Sequence, residues 1–493
     1  MLRNMRIAAP VLLVTALLAG CQKPVHFPAG SLPQQAELHQ AFGAYDVDRD
    51  GEADFFTYAN NAGRIDRIAY DCDGDAKPDV IVPLDAAALE DCRHLVIILD
   101  GFGYDVVKDY YDAGGLRMFH PPSRVVAPYP TLTDVAMEDI LGYVPCEGFE
   151  AEYFDHKANK RAGGARAYLA GTNQPYNRLL HYRANLIWDA IGYVVPWPVF
   201  GKEINDAKRV FNKRRSQEMR AYFVSTAGVS TTMGADGQRM CLRRAEQLIH
   251  QVIWETRGLT KITLLSDHGH SYTPATRIGL DQHLREKGWR LVKRLQRPRD
   301  AVYIRFGLET YASFATKEPA ALAKDLIACE GVELASYADK DAVVVLGRGA
   351  AQAVIRRRNG RYGYQQLTGD PLKLKDVLAR LRPDKEGFYG ADGLLAATAT
   401  HDYPAPLQRL WRAHFGLVEN PPDVIVSLED RFCSGEKFFA GSVDVASTHG
   451  GLNYKNSVTF IMSTIGPLPQ VMRSSDIPSH MQRLTGDPWP MTK

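Results

Sequence analysis

Short apolar runs alternating with helical stretches set the pattern of this chain. Residues 95–99 (LVIIL) form an unbroken apolar run of strand length that ends on Asp100-Gly101-Phe102-Gly103, and residues 106–111 read as a helix after it. The same unit returns at 125–127, 221–224, 261–265, 424–426 and 458–462, with helical patterns between, notably 186–191 and 240–255. Continuous apolar strands alternating with helices predict a largely parallel sheet covered on both faces. Between about 290 and 400 the texture changes to short strands (302–306, 342–346), a helix near 320–328 and turns rich in Gly and Arg. This marks an inserted cap, after which the core pattern resumes at 406–415.

Polar residues gather where the apolar runs end. The segment 261–270, KITLLSDHGH, is a buried strand that turns sharply into Ser266, Asp267, His268 and Gly269. In open α/β sheets ligands collect at the carboxyl ends of strands. An adjacent Asp and His supply one hard oxygen and one imidazole nitrogen, a mix that suits zinc or manganese.

The N-terminal part carries a different pattern. Arg3 and Arg6 precede an apolar run from Ala8 to Ala19, too short to span a bilayer comfortably, which reads as an export signal. It ends Leu18-Ala19-Gly20-Cys21, similar to the lipobox of bacterial lipoproteins, so Cys21 is the expected lipidation site and first mature residue. Several acyl chains there would tether the protein to a membrane without embedding it. Gln22 rather than Asp after the Cys favours the outer membrane in a Gram-negative host. A proline-bearing tether follows, and then a short internal repeat. Tyr45 precedes Asp46, Asp48, Asp50, Gly51 and Asp54; Tyr70 precedes Asp71, Asp73, Asp75 and Asp79. Carboxylates at loop positions 1, 3, 5 and 9 aim alternate side chains at one hard cation, and calcium is its natural occupant. Thr57 and Val82 stand where an EF-hand has its bidentate Glu, so the loops are of a shorter type with a structural role.

Composition narrows the partners. At 493 residues, 45% hydrophobic and 24% charged, the chain has the make-up of an enzyme-sized globular protein of two or three domains. A formal net charge of +2 gives no large basic field, so no nucleic-acid-binding surface is expected. Six cysteines besides Cys21 are widely scattered without a CxxC metal pattern, and Cys72 with Cys92 is the one candidate disulfide.

Four motifs fall in an order that resembles a known family. Asp100 after the first core strand, Pro130-Thr131-Leu132-Thr133, Ser266-Asp267-His268-Gly269 and Thr448-His449-Gly450-Gly451 look like the alkaline phosphatase superfamily, closest to its type I phosphodiesterase and nucleotide pyrophosphatase branch. The resemblance covers roughly 94–285 and 405–465. It implies an α/β fold: an alkaline phosphatase-like core with a mostly parallel sheet between helices, an inserted cap subdomain and a small N-terminal calcium-loop segment. Carried over residue by residue, Asp100, Thr133, Asp267 and His268 match the ligands of one metal, and Thr133 is also the nucleophile, with Thr131 as fallback. His449 matches a ligand of a second metal. The implied activity is metal-dependent hydrolysis of small phosphate esters, on one or two zinc or manganese ions.

The chain also departs from the pattern. The second metal of the family takes an Asp and a His four residues apart, and Ala227 and Thr231 align there. Asp134-Val135-Ala136-Met137 stand where the branch often has Phe-Pro-Asn-His. Glu138, Asp139, Asp236 and His270 are the candidate substitutes. The alternative reading is a catalytically silent, surface-anchored binding protein on a degenerate fold of the same kind. The expected organisation is a signal peptide (1–20), a tether (21–40), two calcium-type loops (41–92), the core (93–289 and 402–470), the insert (290–401) and a C-terminal tail (471–493).

Overall fold

The computed structural model describes residues 42–46 and 51–490, apart from 143, 165, 166, 169–173, 186, 187, 189, 190, 193, 306 and 436–444. The lipidation candidate Cys21, the loop residues Asp48 and Asp50 and most of the expected helix at 186–191 lie outside the described residues.

The core is a seven-stranded sheet. Its strands are β1 (Arg93–Leu99), β2 (Ser123–Val126), β3 (Tyr182–Arg183), β4 (Glu218–Phe223), β5 (Thr260–Ser266), β6 (Val458–Ser463) and β7 (Val471–Arg473), in the spatial order β7-β2-β6-β5-β1-β4-β3. β5, β1, β4 and β3 run parallel, and β6 lies antiparallel between β5 and β2. Period-two alternation explains the apolar runs: Leu95, Ile97 and Leu99 face one buried cluster while Val96 and Ile98 face another across the sheet. The helices α1 (Tyr104–Asp112), α2 (Thr133–Leu141), α3 (Pro196–Lys213) and α4 (Ser225–Glu255) cover these faces. Helix α4 starts fifteen residues before the expected 240, and its two halves join at Gly234, whose φ of +58° is open to glycine without strain.

A second sheet of nine strands is built from residues 290–390 together with Val424–Leu428. That last strand corrects the expectation for 424–426. It pairs antiparallel with Tyr311–Thr316 on one side and Val332–Asp339 on the other, in the middle of the second sheet rather than in the first. An apolar run marks a buried strand without saying which sheet buries it. The helix Pro406–His414, expected to resume the core, likewise packs on the second sheet, its Leu407 and Leu410 buried with Val343, Val345 and Ile355.

The Asp-rich repeat forms two loops of one small antiparallel sheet, Gly43–Tyr45, Phe55–Ala59, Ile65–Tyr70 and Val80–Pro83. The same bond closes both: Asp54 N–H donates to the Tyr45 carbonyl at 3.0 Å, and Asp79 N–H to the Tyr70 carbonyl at 2.8 Å. No described helix is long and apolar enough to cross a membrane.

The expected Cys72–Cys92 bridge does not form. Cys72 lies exposed on the second loop, Cys92 is buried before β1, and all six described cysteines are free thiols. Cys72→Ser should therefore shift stability by less than about 0.5 kcal/mol in denaturant unfolding. A loss of several kcal/mol would show that the thiol is bonded after all.

Candidate metal and phosphate-ester site

β1 and β5 are hydrogen-bonded neighbours whose registers end together, Leu99 beside Ser266. The residues that follow, Asp100 and Asp267, therefore emerge side by side at the carboxyl edge of the sheet. One ligand atom from each of Asp100, Asp267 and His268 falls within 4.8 Å of the others, and all three residues are buried. His268 Nε2 is 3.7 Å from an Asp100 oxygen and 3.5 Å from Asp267 Oδ2.

Each group is held from behind. Asp267 Oδ1 accepts the N–H of Gly101 at 3.0 Å and that of His268 at 2.9 Å, while its buried Oδ2 has no hydrogen-bond partner among the described residues. Tyr222, on β4, donates its hydroxyl to Asp100 Oδ2. His268 Nδ1–H donates to the Gly269 carbonyl at 3.0 Å, which fixes the tautomer and leaves the Nε2 lone pair facing the carboxylates. Burial lowers the His268 pKa to about 4 and raises that of Asp267. A neutral imidazole between two buried carboxylates, one with an orphaned oxygen, is a donor set suited to a divalent cation.

Gly269 makes the turn possible. A Cβ there would lie 2.1 Å from the Lys455 carbonyl oxygen, and its N–H donates to the Asn456 carbonyl at 2.9 Å. The segment before β6 thus packs directly on the SDHG turn.

The two candidate threonines separate cleanly. Thr133 begins α2, and its Oγ1 is 3.3 Å from His268 Nε2. Backbone N–H groups in the first turn of a helix have no intrahelical acceptor and favour an anion beside them. Thr131 is fully buried, and its Oγ1 accepts the Gly450 N–H at 2.8 Å and donates to the Gly451 carbonyl at 3.3 Å. Its carbonyl accepts from His449 Nδ1 at 2.9 Å. Thr131 is a splice between the loop before α2 and the loop that carries His449.

His449 stacks on His268, ring centres 4.0 Å apart and planes 20° from parallel. Burial, with His268 beside it, lowers the His449 pKa to about 3. The substitutes considered for Ala227 and Thr231 mostly lie elsewhere. Asp139 forms a bidentate pair with Arg412 at 2.7 and 2.9 Å, and Asp236 is exposed beside Arg239. Glu138 is buried against Cys146, its pKa raised to about 8 by burial. Asp134 is buried as well, accepting from Tyr176 at 2.8 Å and Gln174 at 3.0 Å. His270, in contrast, sits in the cluster, 5.2 Å from His449 between ring centres.

In the N-terminal repeat, Asp71, Asp73 and Asp79 bring their carboxylates within 4.8 Å of one another. Asp75 turns to Lys77 instead. In the first loop, Asp46 Oδ2 accepts the Gly51 N–H at 3.0 Å.

Sequence reasoning missed three supports. Tyr222 is one aromatic inside an apolar strand. Thr310, from the second lobe, donates its N–H to the His449 carbonyl at 2.7 Å and accepts the Gly451 N–H at 2.8 Å. Arg409 is buried without a carboxylate and donates to the carbonyls of Pro128, Pro404 and Leu452 at 3.0–3.2 Å. None carries a local signal, because each acts on a loop distant in sequence.

The class defined by fold and site is thus an α/β protein with a buried Asp, Asp, His cluster that could hold a cation, beside a helix-borne threonine. No family model matches the chain, and no curated protein does. Among solved structures it is similar to human ectonucleotide pyrophosphatase/phosphodiesterase 5, with a TM-score of 0.46 and 11% identity over 81% of this chain and 96% of that one. It is also similar to the murine protein of that name, TM-score 0.43 and 11% identity over 80% and 95%. A structure of an inactive form of the murine protein in complex with AMP gives 0.44, with 11% identity over 80% and 95%.

Thr131→Val should cost about 1–3 kcal/mol, because it leaves the buried Gly450 N–H without its acceptor. Thr133→Val should cost under about 1 kcal/mol. Denaturant unfolding of the two variants side by side checks the assignment of one threonine to the scaffold and the other to the site.

Proposed function

We propose that this protein is a metal-dependent hydrolase of small phosphate esters, with Thr133 as nucleophile. The observation that carries the reading is the clustering of Asp100, Asp267 and His268 at two adjacent strand ends, with the Thr133 hydroxyl 3.3 Å from His268 Nε2. The order of the four motifs along the chain, which resembles the phosphodiesterase branch of the alkaline phosphatase superfamily, supports it.

Asp100, Asp267, His268 and Thr133 would hold the ion, zinc or manganese. Bound there, a divalent cation eases loss of the threonine proton and neutralises charge building on a phosphoryl oxygen. The N-terminus of α2 faces the incoming phosphate with backbone N–H groups. Thr133 Oγ1 bonds to phosphorus while the ester oxygen leaves with its electron pair and takes up a proton. Water then attacks the phosphothreonine, releasing the phosphate or monoester and restoring the hydroxyl. Thr131 is not the nucleophile in this scheme, since its hydroxyl is spent on Gly450 and Gly451.

The second reading, a silent binding protein, is favoured by the second-metal positions. Ala227 is buried and offers no donor, and the Thr231 carbonyl accepts from Ala446 and Ser447. We further propose calcium at Asp71, Asp73 and Asp79, where it stiffens the loop, and in the sister loop of Asp46, Asp48, Asp50 and Asp54. Export and lipid attachment at Cys21 would hold the enzyme on a bacterial membrane, the outer one in a Gram-negative host.

Turnover of mono- and bis-p-nitrophenyl phosphate with added zinc or manganese decides between the readings. Activity should fall at least about 100-fold in Thr133→Ala and on chelation by EDTA. Metal bound at the cluster with no turnover of either ester would establish the silent reading.

A further inference from the structure

His270 lies two residues beyond His268 and belongs to no part of the scheme above. It is completely buried, and its Nε2 has no hydrogen-bond partner among the described residues. A buried imidazole nitrogen left unpaired is costly unless something binds it. Gly101 packs against the ring, and a Cβ added there would lie 2.9 Å from His270 Cδ2 and 3.4 Å from Nε2.

Three imidazoles of the site share one construction. His268 Nδ1 is on the Gly269 carbonyl at 3.0 Å, His449 Nδ1 on the Thr131 carbonyl at 2.9 Å and His270 Nδ1 on Ser447 Oγ at 2.6 Å. Ser447 Oγ is fixed in turn by the Tyr272 N–H at 2.9 Å. An oxygen behind Nδ1 that leaves Nε2 free is how proteins orient histidines toward a metal.

Ring geometry pairs two of the three. The His268 and His449 planes are within 20° of parallel and their ring centres 4.0 Å apart, a stack that does not direct both nitrogens at one ion. His270 and His449 are tilted by 56° with centres 5.2 Å apart. Two imidazoles on one tetrahedral ion, each nitrogen about 2.0–2.1 Å from it and each ring centre about 1.1 Å further, have centres about 5 Å apart.

We propose that His270 and His449 hold a second borderline divalent cation, zinc by its nitrogen donors, beside the ion of Asp100, Asp267 and His268. His270 thereby does the work that Ala227 and Thr231 are unable to do. The inference rests on the reading of the first cluster as a metal site and adds a ligand to it.

The test is to count zinc bound to the purified full-length chain by mass spectrometry of the metal, with excess calcium present to fill the Asp-rich loops. Wild type should hold two zinc ions per chain at the site, and His270→Ala one. Ser447→Ala keeps both imidazoles but removes the oxygen behind Nδ1, and should weaken the second zinc about 10–100-fold while sparing the first. That variant and the wild-type count decide the matter even if His270→Ala fails to fold. A single zinc in wild type, lost in Asp267→Asn and kept in His270→Ala, overturns the second site and leaves the proposed function standing. Two zinc ions in both wild type and His270→Ala overturn the role of His270. No zinc in wild type overturns both readings.

Discussion

Two carboxylates and an imidazole buried at adjacent strand ends impose the constraint on which the rest of this structure depends. Ionised groups taken out of water are stable only when paired, hydrogen-bonded or neutralised by a cation. Asp267 spends one oxygen on backbone N–H groups and keeps the other unpaired, and Tyr222 braces Asp100 from the neighbouring strand. Such a cluster tolerates little movement, since small displacements change ligand distances and charge compensation together. The parallel pairing of β1 with β5 supplies the rigidity, because both acids follow directly from a continuous hydrogen-bonded register.

The second lobe serves the same constraint. The loop that carries His449 is tied to the loop before α2 by Thr131 and to the second sheet by Thr310. Arg409, on the helix Pro406–His414, reaches the carbonyls of Pro128 and Leu452, one on each of those two loops. Burial lowers its pKa to about 9, and the carbonyl cradle takes the place of a carboxylate partner. Thr133, the cluster of Asp100, Asp267 and His268, and His449 are thereby held in one frame built from both sheets. A proposed second ion between His449 and His270 would occupy the seam of that frame.

The motif positions were legible because strand-then-polar-turn is a local pattern. Residues 95–100 and 261–270 each state their own burial and their own turn, and the expected strands match the observed ones to within two residues, except 221–224, whose strand begins at Glu218. Asp100, Asp267 and His268 fall in one cluster, and Thr133 lies beside His268. The sheet that would bury 424–426 was not legible, since apolar residues of a middle strand look the same in either sheet. Tyr222, Thr310 and Arg409 were hidden for a related reason: Tyr222 lies 122 residues from Asp100, Thr310 lies 141 from Gly451 and Arg409 lies 281 from Pro128. The repeat of Asp46–Asp54 and Asp71–Asp79 was readable as a repeat, yet the turn of Asp75 toward Lys77 depends on a side chain outside the carboxylate pattern.

The most direct measurement of the central claim is the site of covalent modification during turnover. The metal-loaded chain is mixed with an excess of bis-p-nitrophenyl phosphate, quenched in acid and digested for peptide mass spectrometry. The account predicts a phosphoryl-bearing adduct on Thr133 and on neither Thr131 nor any serine of the site. Turnover with the adduct mapped to another residue, or with water attacking and no adduct at all under burst conditions, would contradict it.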